Sequence, residues 1–306
     1  MIRKKVSSFK TTKNYLRFLK KQENNNEIFQ DKLGQLKNFY TPICNSIYKW
    51  HKLNQKVLVV GLSGGQGSGK TTIAQIIKII LRSEFKLNVI NFSIDDFYKT
   101  RKERKKMSKK IHKLFLTRGV PGTHDIALLK KCFSSLFKKN FKSFLIPKFD
   151  KSNDDRFPKN KWIKVKKKPD IVIFEGWCLG AKHQSKKELK KPTNLLEKNY
   201  DKSLIWRKKV NIELKTRYKK IFKIINKLIF LKVPNFNYVY KWRLLQEKKL
   251  SKTSKGKKTM SQSEIKNFIM YYERITSQML KDLKFYSDIL VEVDKKHKLS
   301  NIKFLK

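Results

Sequence analysis

The feature that most constrains the fold is a glycine-rich turn between a short buried strand and an amphipathic helix. The turn reads GGQGSGKT from Gly64 to Thr71 and fits the pattern G-x-x-x-x-G-K-[ST]. The segment before it, Val57–Val60, is typical of a strand buried on both faces. After it, apolar residues recur at helical spacing from Ile73 to Leu81. This order of strand, turn and helix predicts a P-loop that binds a nucleoside triphosphate with Mg²⁺.

Each residue type in this turn has a chemical reason. Glycines let the backbone curl so that amide N–H groups converge on phosphate oxygens, and the helix N-terminus that follows favours anions. Lys70 is expected to reach the β- and γ-phosphates, and the Thr71 hydroxyl to bind Mg²⁺. The predicted nucleotide site consists of Gly64, Gly65, Gln66, Gly67, Ser68, Gly69, Lys70, Thr71 and Thr72.

Strand-like and helix-like segments alternate along most of the chain. The other predicted strands are Asn88–Ser93, Leu145–Phe149, Asp170–Phe174 and Asp288–Val293, and long helical patterns cover Leu204–Phe230 and Ser261–Leu283. Strands that alternate with helices form right-handed crossovers and a parallel sheet. We therefore predict an α/β fold of the P-loop NTPase type, with three layers, a mostly parallel sheet, helices on both faces and a helical lid.

The chain is predicted to divide into two parts. Residues 1–50 form a basic, helical N-terminal extension, of which 1–27 are expected to be loosely held, and Pro42 is expected to separate two helices. Residues 51–306 form the P-loop domain, since no internal repeat or convincing linker interrupts them.

The net charge of +51 is the feature most open to misreading. Such a charge suggests a nucleic acid or an anionic membrane as partner. Only 11 of the 75 cations are arginines, however, and the lysines are spread through nearly every segment, as a biased genome composition would produce. We expect a solvated lysine-rich surface and no nucleic-acid partner, with a selected polyanion partner as the alternative.

Cellular location is predicted from what the sequence lacks. The three cysteines show no metal or redox spacing. No apolar run approaches the ~20 residues of a membrane span, and the basic N-terminus lacks the apolar core of a secretory signal. We expect a cytoplasmic protein without a membrane partner.

Carboxylates follow two of the predicted strands. Asp95 and Asp96 come after the second strand, and Glu175 comes after the strand Asp170–Phe174. The carboxyl ends of parallel strands form the ligand-binding edge of such a sheet. A carboxylate there can orient an acceptor hydroxyl, accept its proton and help to hold Mg²⁺, although an Asp pair can also simply form a turn. The predicted metal ligands are Thr71, Asp95 and Glu175.

Two polar loops carry arginines, which are rare in this chain. Arg118 lies in the loop 117–125 and Arg156 in the loop 149–156. The planar guanidinium fork suits a carboxylate or a phosphate. Arg207 and Arg243 are singled out by the same rarity, and for each arginine the alternative is a surface salt bridge.

Six sequence blocks occur in a specific order. They are GLSGGQGSGKTT, SIDDFY, TRGVPGTHD, FDKSNDDR, IFEGWCLGA and WRLLQEKKL. In this order they resemble the glycerate 3-kinase family, which is grouped with the phosphoribulokinases, uridine kinases and pantothenate kinases. The resemblance runs from about Val57 to the C-terminus. It departs at Gly65, where relatives often carry Pro. A glycine fits at this position without a steric clash.

The resemblance implies transfer of the γ-phosphate of ATP to the 3-hydroxyl of D-glycerate, which gives 3-phosphoglycerate. Asp95 matches the general base, Lys70 the phosphate-binding lysine, and Arg243 a lid cation for the transferring phosphate. The segment Ser251–Thr259 would be the tip of that lid. The residues implied around the acceptor are Arg118, Asp125, Asp150, Lys151 and Arg156.

Two alternatives stay open at the sequence level. One is a kinase of the same architecture that acts on a nucleoside, pantothenate or a sugar phosphate, because a few side chains decide the acceptor. The other is a nucleic-acid-associated ATP-binding protein that uses the positive charge.

Overall fold

The computed structural model describes residues 7–54, 56–253 and 260–306. The α-helices are α1 (Phe9–Glu23), α2 (Lys32–Gln35), α3 (Thr41–Leu53), α4 (Lys70–Phe85), α5 (Arg101–Lys110), α6 (Ile126–Phe137), α7 (Lys186–Lys190), α8 (Leu195–Tyr200), α9 (Ile205–Glu213), α10 (Lys219–Phe222), α11 (Phe236–Thr253) and α12 (Gln262–Asp282). The strands are β1 (Leu58–Gly64), β2 (Val89–Ser93), β3 (Phe144–Ile146), β4 (Phe149–Asp150), β5 (Asp155–Arg156), β6 (Ile163–Val165), β7 (Ile171–Gly176), β8 (Lys227–Lys232), β9 (Ile289–Val293) and β10 (Leu299–Phe304).

Six strands form the central sheet in the order β10-β9-β8-β1-β7-β2. All neighbours are parallel except β10, which runs antiparallel to β9. Leu62 of β1 pairs with Glu175 of β7, and Ser93 of β2 pairs with Glu175 from the other side. The register therefore brings the carboxyl ends of β1, β7 and β2 to the same edge of the sheet.

Helices cover both faces of the sheet. Side chains of successive strand residues point to opposite faces, and β1 shows this alternation. Leu58, Val60 and Leu62 belong to the core that also contains residues of α1, α3 and α4, whereas Val59 belongs to the core built with α6, α9 and α12. The predicted three-layer α/β fold with a mostly parallel sheet is confirmed.

The N-terminal helices pack on the face that carries α4. Tyr15 and Leu19 of α1 are buried, and Thr11 donates a hydrogen bond to Glu84 Oε2 at 2.8 Å. The prediction of a loosely held segment over residues 1–27 is therefore wrong for α1, because its apolar side chains reach the core. The division of the chain at residue 50 stays a prediction.

The expected break at Pro42 is also wrong. The chain is helical without interruption from Lys32 to Leu53, and a π-helical turn, Leu36–Tyr40, directly precedes the proline. Proline lacks an N–H group and its ring clashes with the preceding turn of a regular helix. The wider π-helical turn accommodates this change in hydrogen bonding.

The helical prediction over Leu204–Phe230 is wrong in its last part. Helix α10 ends at Phe222, and β8 follows as a central strand that pairs with β1 and β9. The predicted strand Leu145–Phe149 is divided between β3 and β4, which pair in two separate ribbons outside the main sheet. Among the described residues, no helix is both long and apolar enough to cross a membrane.

Candidate active site

The P-loop connects β1 to α4 at the edge where the parallel strands end. Gly67 and Gly69 have φ values of 75° and 82°, in the left-handed region that glycine adopts at no steric cost. A Cβ atom on Gly67 would also lie 2.8 Å from Cβ of Trp242 on α11. The glycines thus permit both the curled backbone and the close approach of α11.

Lys70 is the first residue of α4 and folds back over the loop. Its Nζ donates a hydrogen bond to the carbonyl oxygen of Gly65 at 2.8 Å. Burial lowers the pKa of Lys70, while the neighbouring carboxylates of Glu175 and Asp95 raise it again in part. The three predicted functional groups are therefore close enough to interact electrostatically.

Glu175 is the penultimate residue of β7 and lies beside the P-loop. Its Oε1 accepts a hydrogen bond from the Thr71 hydroxyl at 2.7 Å. Burial raises the pKa of Glu175 and the nearby Asp95 charge adds to this, whereas Lys70 and Thr71 act in the opposite direction. A buried carboxylate in this position is stabilised by any additional cation.

These oxygen ligands fit a magnesium ion. Mg²⁺ is usually bound by one or two carboxylates together with substrate phosphates and waters. Asp95, Glu175 and the Thr71 hydroxyl supply oxygen atoms of that kind, and burial, which raises the pKa of Glu175, makes a bound cation favourable for this carboxylate. In the described part of the chain no three His, Cys, Asp or Glu side chains form a metal cage.

Asp95 lies just beyond β2, in a single 3₁₀ turn, Ile94–Phe97. Its Oδ2 is 3.1 Å from Lys151 Nζ, and its Oδ1 accepts a hydrogen bond from the Tyr98 hydroxyl at 3.0 Å. Burial raises its pKa, but the charge and hydrogen bond of Lys151, together with His124 in the protonated form that it adopts in acid, outweigh burial and hold the pKa at about 2. Asp95 is thus an ionised hydrogen-bond acceptor at neutral pH.

Asp96 has a different task from its neighbour. Its Oδ2 accepts a hydrogen bond from the Ser93 backbone N–H at 3.3 Å, and Lys148 Nζ lies 2.9 Å from its Oδ1. The Ser93 hydroxyl in turn accepts from the Asp95 N–H at 3.2 Å. Asp96 therefore stabilises the turn that holds Asp95 in place. Of the Asp95–Asp96 pair, Asp96 is the residue to which the turn-forming interpretation applies.

The two arginine-bearing loops meet at this edge. Arg118 forms an ion pair with Asp154 and donates to the Lys151 carbonyl oxygen at 3.3 Å. Arg156 Nη2 donates to Asp125 Oδ2 at 3.3 Å, and Asp125 also caps the N-terminus of α6. Four of the five residues implied around the acceptor are thus linked to one another or to Asp95 by these contacts.

Asp150 is the exception among the residues implied around the acceptor. Its carboxylate accepts hydrogen bonds from the backbone N–H groups of Ser152 (2.9 Å) and Asn153 (3.3 Å). The Ser152 hydroxyl and these contacts lower its pKa. Asp150 shapes the turn that presents Lys151.

The remaining arginines differ in role. Arg243 on α11 forms an ion pair with Glu247 at 2.7 Å, and its backbone N would lie 3.6 Å from a Cβ atom on Gly67. Arg207 is buried and lies 3.2 Å from both Glu197 and Asp201. Arg207 is therefore a structural residue. It forms salt bridges, as the alternative interpretation of the arginines expects, but they are buried and not on the surface.

Several residues of the site have no local signal in the sequence. Tyr98 contacts Asp95, Tyr272 donates to the Arg118 carbonyl oxygen at 3.2 Å, and His124 stacks on Tyr98 with ring centroids 4.3 Å apart. Tyr98 and His124 lie in the blocks SIDDFY and TRGVPGTHD, and Tyr272 lies outside all six blocks, but the contacts of all three depend on tertiary packing.

At this edge Asp95 interacts with Lys70 of the P-loop and with Lys151 of the loop 149–156. A carboxylate that lies near both a P-loop and a cationic loop is typical of P-loop kinases. The chain belongs to the phosphoribulokinase / uridine kinase family, whose characteristic domain matches residues 59–243.

Individual relatives support the same grouping. The chain is 34% identical to the uncharacterized kinase mug58 of Schizosaccharomyces pombe, over 75% of this chain and 83% of the relative. It is 30% identical to the chloroplastic D-glycerate 3-kinase of Arabidopsis thaliana, over 70% of this chain and 46% of that enzyme, so it spans about half of that protein. The solved structure of a D-glycerate 3-kinase from Cryptococcus neoformans superposes with a TM-score of 0.73 at 25% identity, covering 86% of this chain and 97% of that one. The resemblance predicted from the sequence blocks is confirmed.

Proposed function

We propose that this kinase transfers the γ-phosphate of ATP to the 3-hydroxyl of D-glycerate and so forms 3-phosphoglycerate. The observation that carries the proposal is the position of Asp95, which lies between the P-loop edge and the cation Lys151. The two D-glycerate 3-kinases among the similar proteins support the choice of acceptor.

On the nucleotide side, Lys70 gives up its hydrogen bond to the Gly65 carbonyl oxygen and binds the β- and γ-phosphates instead. Thr71, Glu175 and Asp95 are the residues that would hold Mg²⁺, which neutralises charge on the phosphates when it is bound. The backbone N–H groups of the P-loop and the N-terminus of α4 bind the remaining phosphate oxygens.

On the acceptor side, Asp95 accepts a hydrogen bond from the reacting hydroxyl. With a pKa of about 2, Asp95 is a weak base. Its main contribution is therefore to orient the hydroxyl, and it takes the proton late, as the loose transition state of phosphoryl transfer allows. Lys151, Arg118 and Arg156 supply positive charge for the carboxylate of glycerate.

The lid and the location belong to the same proposal. Arg243 lies on α11 next to the P-loop, so a small movement of this helix would bring the guanidinium to the transferring phosphate. Of the predicted lid tip, Ser251–Thr253 end α11, and 254–259 lie outside the described residues. The three cysteines are buried and unpaired, which fits a reducing, cytoplasmic environment.

The test is ADP release from ATP and Mg²⁺ with and without D-glycerate, with identification of the phosphorylated product. Glycerate-dependent ADP release with 3-phosphoglycerate as product is the expected result, and Lys70→Ala serves as the inactive control. Uridine and pantothenate are assayed in parallel. ADP release that ignores glycerate but responds to one of these compounds would assign the kinase to the other acceptor.

A further inference from the structure

A buried histidine next to Asp95 has one ring nitrogen that the fold does not use. His124 lies in the loop before α6 and is 1% exposed. Its ring stacks on Tyr98, whose hydroxyl contacts Asp95, and its Nδ1 lies 2.6 Å from the Tyr218 hydroxyl. Its Nε2 has no hydrogen-bond partner among the described residues.

The Tyr218 hydroxyl decides which ring nitrogen carries the proton. The oxygen of Tyr218 accepts a hydrogen bond from the Gly122 backbone N–H at 3.0 Å. In the described part of the chain, Nδ1 of His124 is the one acceptor in contact with this phenol, and burial raises the Tyr218 pKa, so the phenol keeps its proton. The phenol therefore donates to Nδ1.

The tautomer of His124 follows from this contact. Burial lowers the His124 pKa to about 4, despite the opposing charge of Asp95, so the ring is neutral at physiological pH. A neutral imidazole that accepts at Nδ1 carries its hydrogen on Nε2. His124 thus offers a buried N–H donor that no described protein atom accepts, and a buried donor without a protein partner calls for a ligand or an ordered water.

The surroundings of this donor indicate what kind of group it takes. His124 stacks on Tyr98, whose hydroxyl contacts Asp95. The cation Lys151, in contrast, has a side chain that is 64% exposed. A charged carboxylate is therefore matched by the cationic loops, whereas a buried neutral donor matches a neutral oxygen deeper in the site.

We propose that the His124 Nε2–H group donates a hydrogen bond to a non-reacting hydroxyl oxygen of the acceptor, the 2-hydroxyl in the case of D-glycerate. His124 is then a specificity residue that selects hydroxylated acids, and Tyr218 acts through it by fixing the tautomer. This inference rests on the proposed function.

The test combines His124 variants with a substrate analogue. 3-Hydroxypropionate keeps the carboxylate and the 3-hydroxyl of glycerate but lacks the 2-hydroxyl. His124→Phe, which keeps a ring to stack on Tyr98, should lower kcat/KM for D-glycerate roughly 10-fold, the usual value of one hydrogen bond. It should change kcat/KM for 3-hydroxypropionate by no more than about twofold, because this analogue has no 2-hydroxyl for His124 to bind in the wild type either. His124→Gln, whose amide N–H can replace Nε2–H, should recover most of the activity, whereas His124→Asn should not.

A second readout does not depend on turnover. In ¹⁵N–¹H correlation spectra of histidine-labelled protein, His124 should appear as the Nε2–H tautomer with Nδ1 as acceptor, and its Nε2 resonance should shift when D-glycerate is added. The five histidines of the chain are distinguished with His124→Gln. Tyr218→Phe should weaken the tautomer preference and raise KM for D-glycerate.

The outcomes separate the two proposals. A wild-type protein without glycerate-dependent ADP release would overturn the proposed function. An active wild-type protein in which His124→Phe loses equally on both substrates, or in which His124 is the Nδ1–H tautomer, would overturn the role of His124 alone. Thermal unfolding of each variant shows whether a loss reflects misfolding, and His124→Gln then gives the deciding comparison.

Discussion

Lys151 Nζ lies 3.1 Å from Asp95 Oδ2 and so joins the turn between β4 and β5 to the carboxyl end of β2. The turn is shaped by Asp150 and held by the contact between Arg118 and the Lys151 carbonyl oxygen. The backbone of Lys151 is therefore held in place, while its side chain is exposed. In the proposed reaction this side chain contacts Asp95 and the carboxylate of the acceptor together.

Replacement of Lys151 tests this arrangement. Lys151→Met should raise KM for D-glycerate roughly 10- to 100-fold, the range for a hydrogen bond to a charged group, and change KM for ATP much less. Steady-state kinetics with each substrate varied in turn measure both constants. The matched control is Lys159→Met, an exposed lysine eight positions further along. Equal increases of KM in the two variants would mean that only the general positive charge matters.

Asp95 is expected to act in the chemical step. Asp95→Asn should lower kcat by roughly 10²–10⁴, as for a positioned base, and leave ATP affinity, measured calorimetrically, nearly intact. The comparison variant is Asp96→Asn, which should instead lower stability, because Asp96 holds the turn through Ser93 and Lys148. Unchanged turnover in Asp95→Asn would remove Asp95 from the mechanism.

The pH dependence of the wild-type enzyme gives a further check on Asp95. Its folded-state pKa of about 2 lies below the ordinary value of 3.8. The stabilisation that its ionised form provides is therefore present above the ordinary value and is lost as the pH falls towards 2. Protonation of Asp95 should not produce an acid limb of the kcat/KM profile at mildly acidic pH. A limb that shifts in Lys151→Met would contradict this.

The sequence predicts the layers of this fold better than its connections. The strands around the P-loop were recognisable because β1 and β7 are continuous apolar runs that end in functional residues. Strand β8 is not predicted from the sequence, because its short apolar run, Leu228–Leu231, continues the apolar pattern of the preceding helices. Nothing local distinguishes such a run from a helical turn; its partners β1 and β9 make it a strand.

The same distinction applies to the candidate site. Lys70, Thr71, Asp95 and Glu175 could be predicted because each occupies a defined position at the end of a strand or in the P-loop. Residues that act through tertiary contacts could not. His124 is separated from its partner Tyr218 by 94 positions, and only the folded chain shows that its Nε2 has no protein partner among the described residues.

Glu175 should make the ligand-free protein less stable as the pH rises. Burial raises its pKa above the ordinary value of 4.5. The folded state therefore binds the proton more tightly than the unfolded state, and stability falls as the pH rises from 4.5 through the folded-state pKa. Glu175→Gln lacks this dependence and keeps an oxygen for the Thr71 hydroxyl. Its melting temperature relative to wild type should increase with pH.

Bound nucleotide should reverse the order of the melting temperatures of Glu175→Gln and wild type. In the presence of ATP and Mg²⁺, wild type should be stabilised much more than Glu175→Gln, because a carboxylate is replaced by a weaker ligand. Thermal unfolding over a pH series, with and without ATP and Mg²⁺, measures both effects. A variant that gains as much from Mg²⁺ and ATP as wild type would exclude Glu175 as a metal ligand.

Arg104 should be the residue on which the acceptor side depends most for stability. Its side chain is fully buried, and the guanidinium donates to the carbonyl oxygens of Lys99 (3.2 Å), Leu116 (2.6 Å) and Asp154 (2.6 Å). Its Nη2 also lies 2.9 Å from Asp154 Oδ2. One cation thus fastens three separate loops, and Asp154 in turn pairs with Arg118.

Arg104→Met removes all these bonds while it keeps much of the side-chain volume. Because three carbonyl oxygens and a carboxylate lose their buried partner, we expect a loss of about 3–5 kcal/mol in the free energy of unfolding. Urea denaturation measures this loss. Arg101→Met, at an exposed position of the same helix, should change stability by less than about 0.5 kcal/mol. Equal stabilities of the two variants would show that the loops are held by their apolar contacts, and that the Arg104 guanidinium adds nothing to them.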